Sequence, residues 1–587
     1  MFPIDLLRSA RNRLDKLPLV KTALLAFSCL LQGLTPTQSY GETIVIGGGP
    51  STLAWDDHYS ATSVIDFDTS PGQIQPAQTG PEDNIVLKIF ERGGTVTSPN
   101  ARIVLEISSS LLNEQLAHMV SGDTTKAFEV KGGSPTGVIF RIDLGERFGV
   151  NRLKFFPRKG FEEFFLKGYE LLLNDGSEEQ KTLAGTPDFK VFKTEERNLE
   201  STVDLAVPLQ FVRFIEVKQL VRGEWEIDEF QVFGAGFAST ASYTSKVFDR
   251  EQPAVFGDIT WARGSIGEPT RTDAILVTRS GNTPDPSDSL SWSTWSSPYP
   301  AGVRTAIESP APRRFFQFRL LLKTSDILAA ATVDSLSFEM SPALADSLVG
   351  EIWPQRALIG QNTPFTYAVR AVNSRGFNRL ELKTMAPVDV VHSVQIDGTD
   401  VEWEKTDTED GVQIIFPRIV GDHTLRVVFE NVALQYNTFF AGRVSDSQEP
   451  DNLPQVVTEG DAVSDFEAQG DDLSVEISVG KNLIHSMDVA PAPFTPNGDG
   501  LNDEALVTYD IVNLTGGALV LVGVYDLSGR RVKKIYSGLD PSRRYQRVWN
   551  GTDESGAKVL PGIYLVRVEI DADSGFESKT KIVPIVY

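Results

Sequence analysis

Along most of this chain apolar and polar residues alternate with a period of two, and helical spacing is rare. The segments VIFRIDLG (138–145), NRLKFFPR (151–158), YELLLNDG (169–176), FVRFIEVKQL (211–220), FFQFRLLLK (315–323) and IVLEISSS (103–110) are short, rich in β-branched and aromatic residues, and bounded by Gly, Pro, Asn or Asp. Each predicts a strand. In 315–320 the alternation places Phe316, Phe318 and Leu320 on one face and Phe315, Gln317 and Arg319 on the other, as in a half-buried antiparallel strand. GIYLVRV (562–568) does the same, with Ile563, Leu565 and Arg567 opposite Tyr564, Val566 and Val568. EWEIDE (224–229) sets Glu224, Glu226 and Asp228 on one face, which predicts a wet sheet surface. The best helix candidate is only LLNEQLAH (111–118). Prolines and glycines are spread along the chain without a low-complexity block, so the expected fold class is all-β, a multi-domain chain of β-sandwiches joined by short turns.

Before residue 42 the pattern differs. Arg8, Arg11, Arg13, Lys16 and Lys21 precede an apolar run at 22–34, and Ser39 and Gly41 supply small residues before Glu42. That is the layout of an export signal over 1–41, and its apolar core is too short for a membrane span. Cys29 is the only cysteine and lies within it, so the mature chain would carry no disulfide, as suits a bacterial exported protein. The stretch TIVIGGGPSTLAW (43–55) has two glycines of the dinucleotide-binding turn at Gly47 and Gly49. Thr52 stands where the third belongs, and no helical periodicity follows before Pro71, so neither NAD nor FAD is expected.

Charge narrows the partners. The chain has 55 Lys+Arg against 79 Asp+Glu, a formal net charge of −24, and losing the leader would make it more acidic still. Such a surface lacks the basic field that draws nucleic acid or anionic membrane. A length of 587 residues accommodates about four domains.

Between residues 54 and 235 the segments HMVSGDTTKAF (118–128), GVIFRIDLGERFGVNRLKFFPR (137–158), GYELLLNDGS (168–177) and EWEIDEFQVFG (224–234) follow in order the landmarks of discoidin, or coagulation-factor type C, domains. This resemblance implies a galactose-binding-like jelly roll over 42–235. Relatives of that kind bind glycans or lipid head groups through variable loops. IDLG reads as a strand entering a turn at Gly145, and NDGS as a hairpin turn at Gly176. The family's calcium site transfers only in part: Asp123 and Glu229 match its acidic positions, while Ser121 replaces an Asp and Lys126 replaces a Thr. A solvated turn is the alternative there.

A second sandwich is expected over 236–345, where Trp261, Trp292 and Trp295 read as core residues with one exposed edge, the alternative being a sugar-stacking platform. A third is expected over 346–480, with an acidic connection. At the carboxyl end, FTPNGDGLNDEALVTYDI, GVYDLSGRRVKKIYSG, RVWNGTDESGAKVLPGIYLVRVEI and TKIVPIVY resemble the immunoglobulin-like domain of FlgD-type hook-capping proteins and the carboxyl-terminal domains of type IX secretion and gliding proteins. The resemblance covers 484–587 and implies a non-catalytic module for assembly, spacing or attachment. DLSG and DESG read as hairpin turns at Gly529 and Gly556, and Trp549 as the core aromatic. In PNGDGLND (496–503), Asn497, Asp499 and Asp503 offer side-chain oxygens and Leu501 a carbonyl, the hard donors that calcium selects. The competing assignment is a cluster of Asx-turns.

Catalysis has little support. The five histidines His58, His118, His392, His423 and His485 show no zinc-binding spacing, and there is no nucleophile elbow or phosphate loop. Three functions remain: an exported, non-catalytic surface or secreted protein that binds a glycan or other cell-surface polymer through its jelly roll, a structural or sorting protein addressed by its last domain, and a polysaccharide-degrading enzyme with ancillary modules. Three sandwiches and an immunoglobulin-like domain leave no stretch for a separate catalytic barrel, which disfavours the third.

Overall fold

The computed structural model of the chain describes residues 41–105, 108–131, 137–466, 471–478, 480, 482–514 and 516–587. Residues 1–40, where the sequence leads one to expect an export signal and where Cys29 falls, lie outside those residues. What is described is an all-β, multi-domain chain of β-sheets, and no helix among the described residues is long and apolar enough to cross a membrane.

The first strand does not belong to the jelly roll. Glu42–Gly47 pairs antiparallel with Ala330–Pro342, Glu42 facing Met340 and Gly47 facing Ser335, and Tyr59–Ser63 pairs with Thr240–Ser245. Glu42–Gly47 and Tyr59–Ser63 therefore complete an eight-stranded sheet with strands from 240–342, Gln78–Thr79 pairs with Gly236–Phe237 beside it, and the jelly roll is inserted between. Burial gives the reason: Ile44, Ile46, Trp55 and Ile74 share one core with Phe316, Phe318, Leu336 and Phe338, whereas the jelly-roll core runs from Ile85 to Ala238. The glycine turn serves that core. Gly47 adopts φ +72, and a Cβ there would stand 2.1 Å from the Trp55 indole nitrogen. That nitrogen donates to the Gly72 and Asp334 carbonyls at 3.2 and 3.3 Å, while Thr52 Oγ1 donates to the Gly47 carbonyl at 2.6 Å. Turns, not a helix, follow the glycines.

In the jelly roll the main sheet runs Lys190–Glu195, Tyr169–Asn174, Val203–Gln219, Ile139–Phe156, Glu229–Gly234. Ile139–Phe156 is one strand of 18 residues, so Gly145 (φ +83) marks an irregularity inside it and does not end it as expected. Gly176 takes φ +76, but no tight hairpin follows: the chain runs on through Glu178–Gln180 and the next strand starts only at Lys190. The described residues of 103–110, which leave out 106 and 107, form no strand. Two short helices, Ala101–Val104 and Ser109–His118, stand there instead: Ser108 caps the second by accepting the Leu111 N–H, and Ser98 Oγ accepts the Ala101 N–H ahead of the first.

In the second sandwich Phe316, Phe318 and Leu320 are buried as expected, but Phe315 and Gln317 are buried too. The outward face of that strand is covered by its surroundings: Gln317 donates to the Ser245 carbonyl at 2.8 Å. Trp261 and Trp292 are core residues, and Trp295 is the half-exposed edge, held between the Arg279 and Arg319 guanidinium groups at 4.4 Å each.

The third unit is built on the two 21-residue strands Thr363–Lys383 and Gly411–Asn431, with a smaller sheet of Arg356–Ala357, Ser474–Ile477 and Asn437–Phe439 beside them. The last unit packs Ile484–Ala490, Ala505–Ile511 and Arg543–Trp549 against the sheet Arg531–Asp540, Ala518–Tyr525, Gly562–Ala572, Gly575–Ile585. Trp549 lies in its core, 5.1 Å from Phe494 and 5.7 Å from Tyr564.

Candidate functional site

A concave surface of the jelly roll lies where the loop after Ile139–Phe156 meets the small sheet of Phe128–Val130 and Trp225–Ile227. Pro157 and Gly160 break the strand pattern, and the chain then turns through Phe161 and Phe164 before Tyr169 starts the next strand. The cavity measures about 150 Å³, with Arg158, Phe161, Phe164, Glu129, Trp225 and Glu226 among its walls.

Arg158 organises it. Its Nε donates to Glu226 Oε1 at 3.0 Å and its Nη2 to Glu226 Oε2 at 2.6 Å, a bidentate fork. Its backbone N–H reaches Glu226 Oε1 at 2.9 Å, and Nη2 also meets Glu129, which in turn pairs with Lys131. Glu226 and Glu129 push the guanidinium further above its ordinary value against the opposing effect of burial. The guanidinium also lies 4.5 Å from the Phe161 ring centre, so one cation holds both the carboxylates and the aromatic wall in place. Phe161 is 42% exposed and Phe164 is tilted against it with ring centres 6.4 Å apart. An exposed aromatic face beside fixed charged hydrogen-bonding groups suits a ligand with one apolar face and a rim of hydroxyls.

The row Glu224, Glu226 and Asp228 is not a wet sheet surface. Glu224 is exposed, but Glu226 and Asp228 are buried, because Arg158 covers Glu226 and the strand Trp225–Ile227 packs inward on both faces. Burial, then the neighbouring Glu226, raises Asp228 to about 6. Burial raises Glu229 to about 7, against the Gly122 N–H that it accepts at 2.5 Å. Both carboxyls keep one oxygen without a hydrogen-bond partner among the described residues.

Glu229 and Asp123 do stand near one another through Gly122, yet they fit calcium poorly. Asp123 accepts the Thr125 hydroxyl at 2.6 Å and has the Lys126 ammonium at 3.6 Å, so the chain supplies the positive charge itself. Two carboxylates also fall well short of a calcium shell. In the carboxyl-terminal loop, Asp503 accepts the Gly498 and Gly500 N–H groups at 2.5 and 2.7 Å. Asn497 Oδ1 accepts the Asp499 N–H at 2.9 Å, Asp499 Oδ1 accepts the Leu501 N–H at 2.8 Å, and the Leu501 carbonyl accepts Thr495 Oγ1 at 3.1 Å. Those oxygens already serve the loop in an Asx-turn arrangement. Among the described residues no three His, Cys, Asp or Glu side chains converge as a metal shell.

Arg158, Phe161 and Phe164 match no binding motif in the sequence. The signal it held was an unusual density of aromatic residues in a segment without alternation, between Pro157 and Gly168.

No protein-family model matches the chain, and no curated protein matches it. Among solved structures it is similar to chitosan-binding module 1 of a chitosanase/glucanase from Paenibacillus sp. IK-5, at 19% identity over 26% of this chain and 100% of that one, with a TM-score of 0.20. It is also similar to the lectin domain of lectinolysin complexed with Lewis B antigen, at 13% identity over 27% of this chain and 100% of that one, TM-score 0.19. A third is a fucose-binding module of Streptococcus pneumoniae, at 12% identity over 26% of this chain and 97% of that one, TM-score 0.19. Likeness at this level leaves the choice of ligand to the side chains.

Proposed function

We propose that this is an exported, non-catalytic bacterial surface or secreted protein that binds carbohydrate through the Arg158–Phe161 surface of its inserted jelly roll. The observation that carries the proposal is the exposed Phe161 ring, held 4.5 Å from a guanidinium that is itself locked by two carboxylates. The ring would take the apolar face of a pyranose, while the free edges of Arg158, Glu129 and Lys131 would take its hydroxyls. The acidic chain argues against nucleic acid as the partner. The test is a glycan array probed with the full chain and with an Arg158→Ala, Phe161→Ala double variant. Saccharides bound by the first and lost by the second are expected. A wild-type chain that retains no glycan would refute the proposal.

A second role is favoured by one further observation. The terminal sheet presents an outward row in which Leu539 faces Leu519, Leu519 faces Asp571, and Asp571 faces Phe576, with the three apolar side chains at least half exposed. Such a row suits attachment, in keeping with the resemblance of 484–587 to FlgD-type and type IX secretion domains.

A further inference from the structure

The third sandwich carries a cavity of about 320 Å³, at the lower end of the range of small-molecule sites. It forms where the chain leaves the strand Ser347–Trp353 of the main sheet, turns at Pro354, and joins the smaller sheet through Arg356–Ala357. Register then assembles its floor. Arg356 and Asn437 both face Glu476 from the two neighbouring strands, so three polar side chains form one row across the sheet, with Ser474 two residues along the same strand face. Thr438, Val475 and Ile477, on the opposite face, are buried, which fixes the row outward.

The wall is aromatic. Trp353 is half-buried and lines the cavity, and Phe466 stacks on it at 6.1 Å and 23°. Arg426 packs on Phe466 in turn, 5.6 Å from its ring centre, so the indole is fixed from behind. The polar groups are not consumed by the fold. Arg356 and Glu476 approach only to 3.7 Å with side chains 84% and 56% exposed, a weak pair that leaves both open to other partners. Asp472 uses one oxygen for the Ser474 N–H at 2.8 Å and keeps the other.

We infer that this cavity is a second carbohydrate site, taking a neutral pyranose with its apolar face on Trp353 and its hydroxyls on Asp472, Glu476, Asn437 and Arg356. Two carboxylates against one guanidinium give the floor a negative excess, which disfavours acidic sugars and any polyanion. The site lies in a different unit from the Arg158–Phe161 surface and does not depend on it. Two sites on one chain would bind a polymer in tandem and gain avidity over either site alone.

The experiment uses the full chain carrying Arg158→Ala and Phe161→Ala, so that the jelly-roll surface is disabled. Its binding to cello-, xylo-, laminari-, manno- and galacto-oligosaccharides is measured by calorimetry, with polygalacturonate as the acidic control. At least one neutral oligosaccharide should bind. Adding Trp353→Ala should weaken that binding at least about tenfold, as for an aromatic hot spot. Because Trp353 also packs on Phe466, the surface double variant Asn437→Ala, Glu476→Ala is made in parallel and should weaken it by a similar factor with the fold intact by circular dichroism. Three results would overturn the inference: no neutral oligosaccharide bound, binding unchanged by both sets of substitutions, or a preference for polygalacturonate. Failure of the jelly-roll proposal reads out separately, as wild-type affinity unchanged by Arg158→Ala and Phe161→Ala.

Discussion

Arg158→Ala isolates the central ion pair. The Glu226 side chain is only 4% exposed, and the substitution removes the bidentate fork from Nε and Nη2 while leaving the backbone N–H of residue 158 in place. A buried carboxylate stripped of its cation costs ~3–5 kcal/mol. Arg158 itself is 18% exposed, so water can reach part of the gap, and the surviving backbone hydrogen bond offsets some of the loss. The lower end, about 3 kcal/mol, is expected, and that corresponds to roughly a hundredfold in an opening equilibrium. A chain of several units has no single unfolding temperature, so the assay is amide hydrogen exchange in the full chain. Peptides covering Phe128–Val130 and Trp225–Ile227 should lose about a hundredfold in protection. The paired variant Arg158→Met, Glu226→Gln removes both charges and should recover most of that protection, since a neutral packed pair carries no orphaned ion. Protection of the single variant within about threefold of wild type would refute the reasoning. Equal damage in both variants would assign the loss to packing and not to the buried charge.

Three other outcomes are expected. Glu351 is held above its ordinary carboxyl value by burial, and one of its oxygens accepts the Ala462 and Val463 N–H groups at 3.0 and 2.6 Å. The folded state thus holds that proton more tightly than the unfolded one: the associated stability is complete below the ordinary carboxyl value and is lost as pH rises through the raised one. Glu351→Gln keeps an oxygen for both N–H groups, so hydrogen exchange should show Ser347–Trp353 better protected than wild type at pH 8 and no better at pH 4; no difference at pH 8 would count against this. Gly47→Ala combines φ +72 with a Cβ 2.1 Å from the Trp55 nitrogen, and should destabilise Glu42–Gly47 and its partner Ala330–Pro342 by roughly 2–5 kcal/mol, measured by exchange of both strands. Asp499→Ala removes the Leu501 N–H bond and should lower exchange protection of the terminal unit even in chelator; a larger loss in calcium is expected if calcium displaces the Asx-turn hydrogen bonds of 496–503, and identical wild-type protection in both would assign the loop to the turns alone.

Local chemistry was legible in the sequence and long-range pairing was not. Period-two segments such as 169–174 and 211–219 are strands, and Gly529 and Gly556 take positive φ in their turns, because each depends on neighbours a few positions away. The sharing of a sheet by Glu42–Gly47 and Ala330–Pro342 is invisible to periodicity, since nothing within either segment specifies its partner. Segment 103–110 shows the opposite: its apolar residues suit a strand, but Ser108 caps a helix that begins at Ser109. Glu226 alternates as a surface residue should and is nevertheless buried, because an arginine 68 positions away neutralises it. The candidate site hinges on that pair. A charge row cannot be assigned to solvent until its partner is known.

The central claim is that the exposed Phe161 ring and the Arg158 guanidinium beneath it bind a sugar. Calorimetric titration of the full chain with the strongest array ligand tests it most directly, comparing wild type with Phe161→Ala, a substitution at a 42% exposed side chain that should leave the fold intact. The account predicts at least about tenfold weaker binding, as expected when an aromatic anchor is truncated, with unchanged exchange protection of Trp225–Ile227. Equal affinity of the two proteins would contradict it.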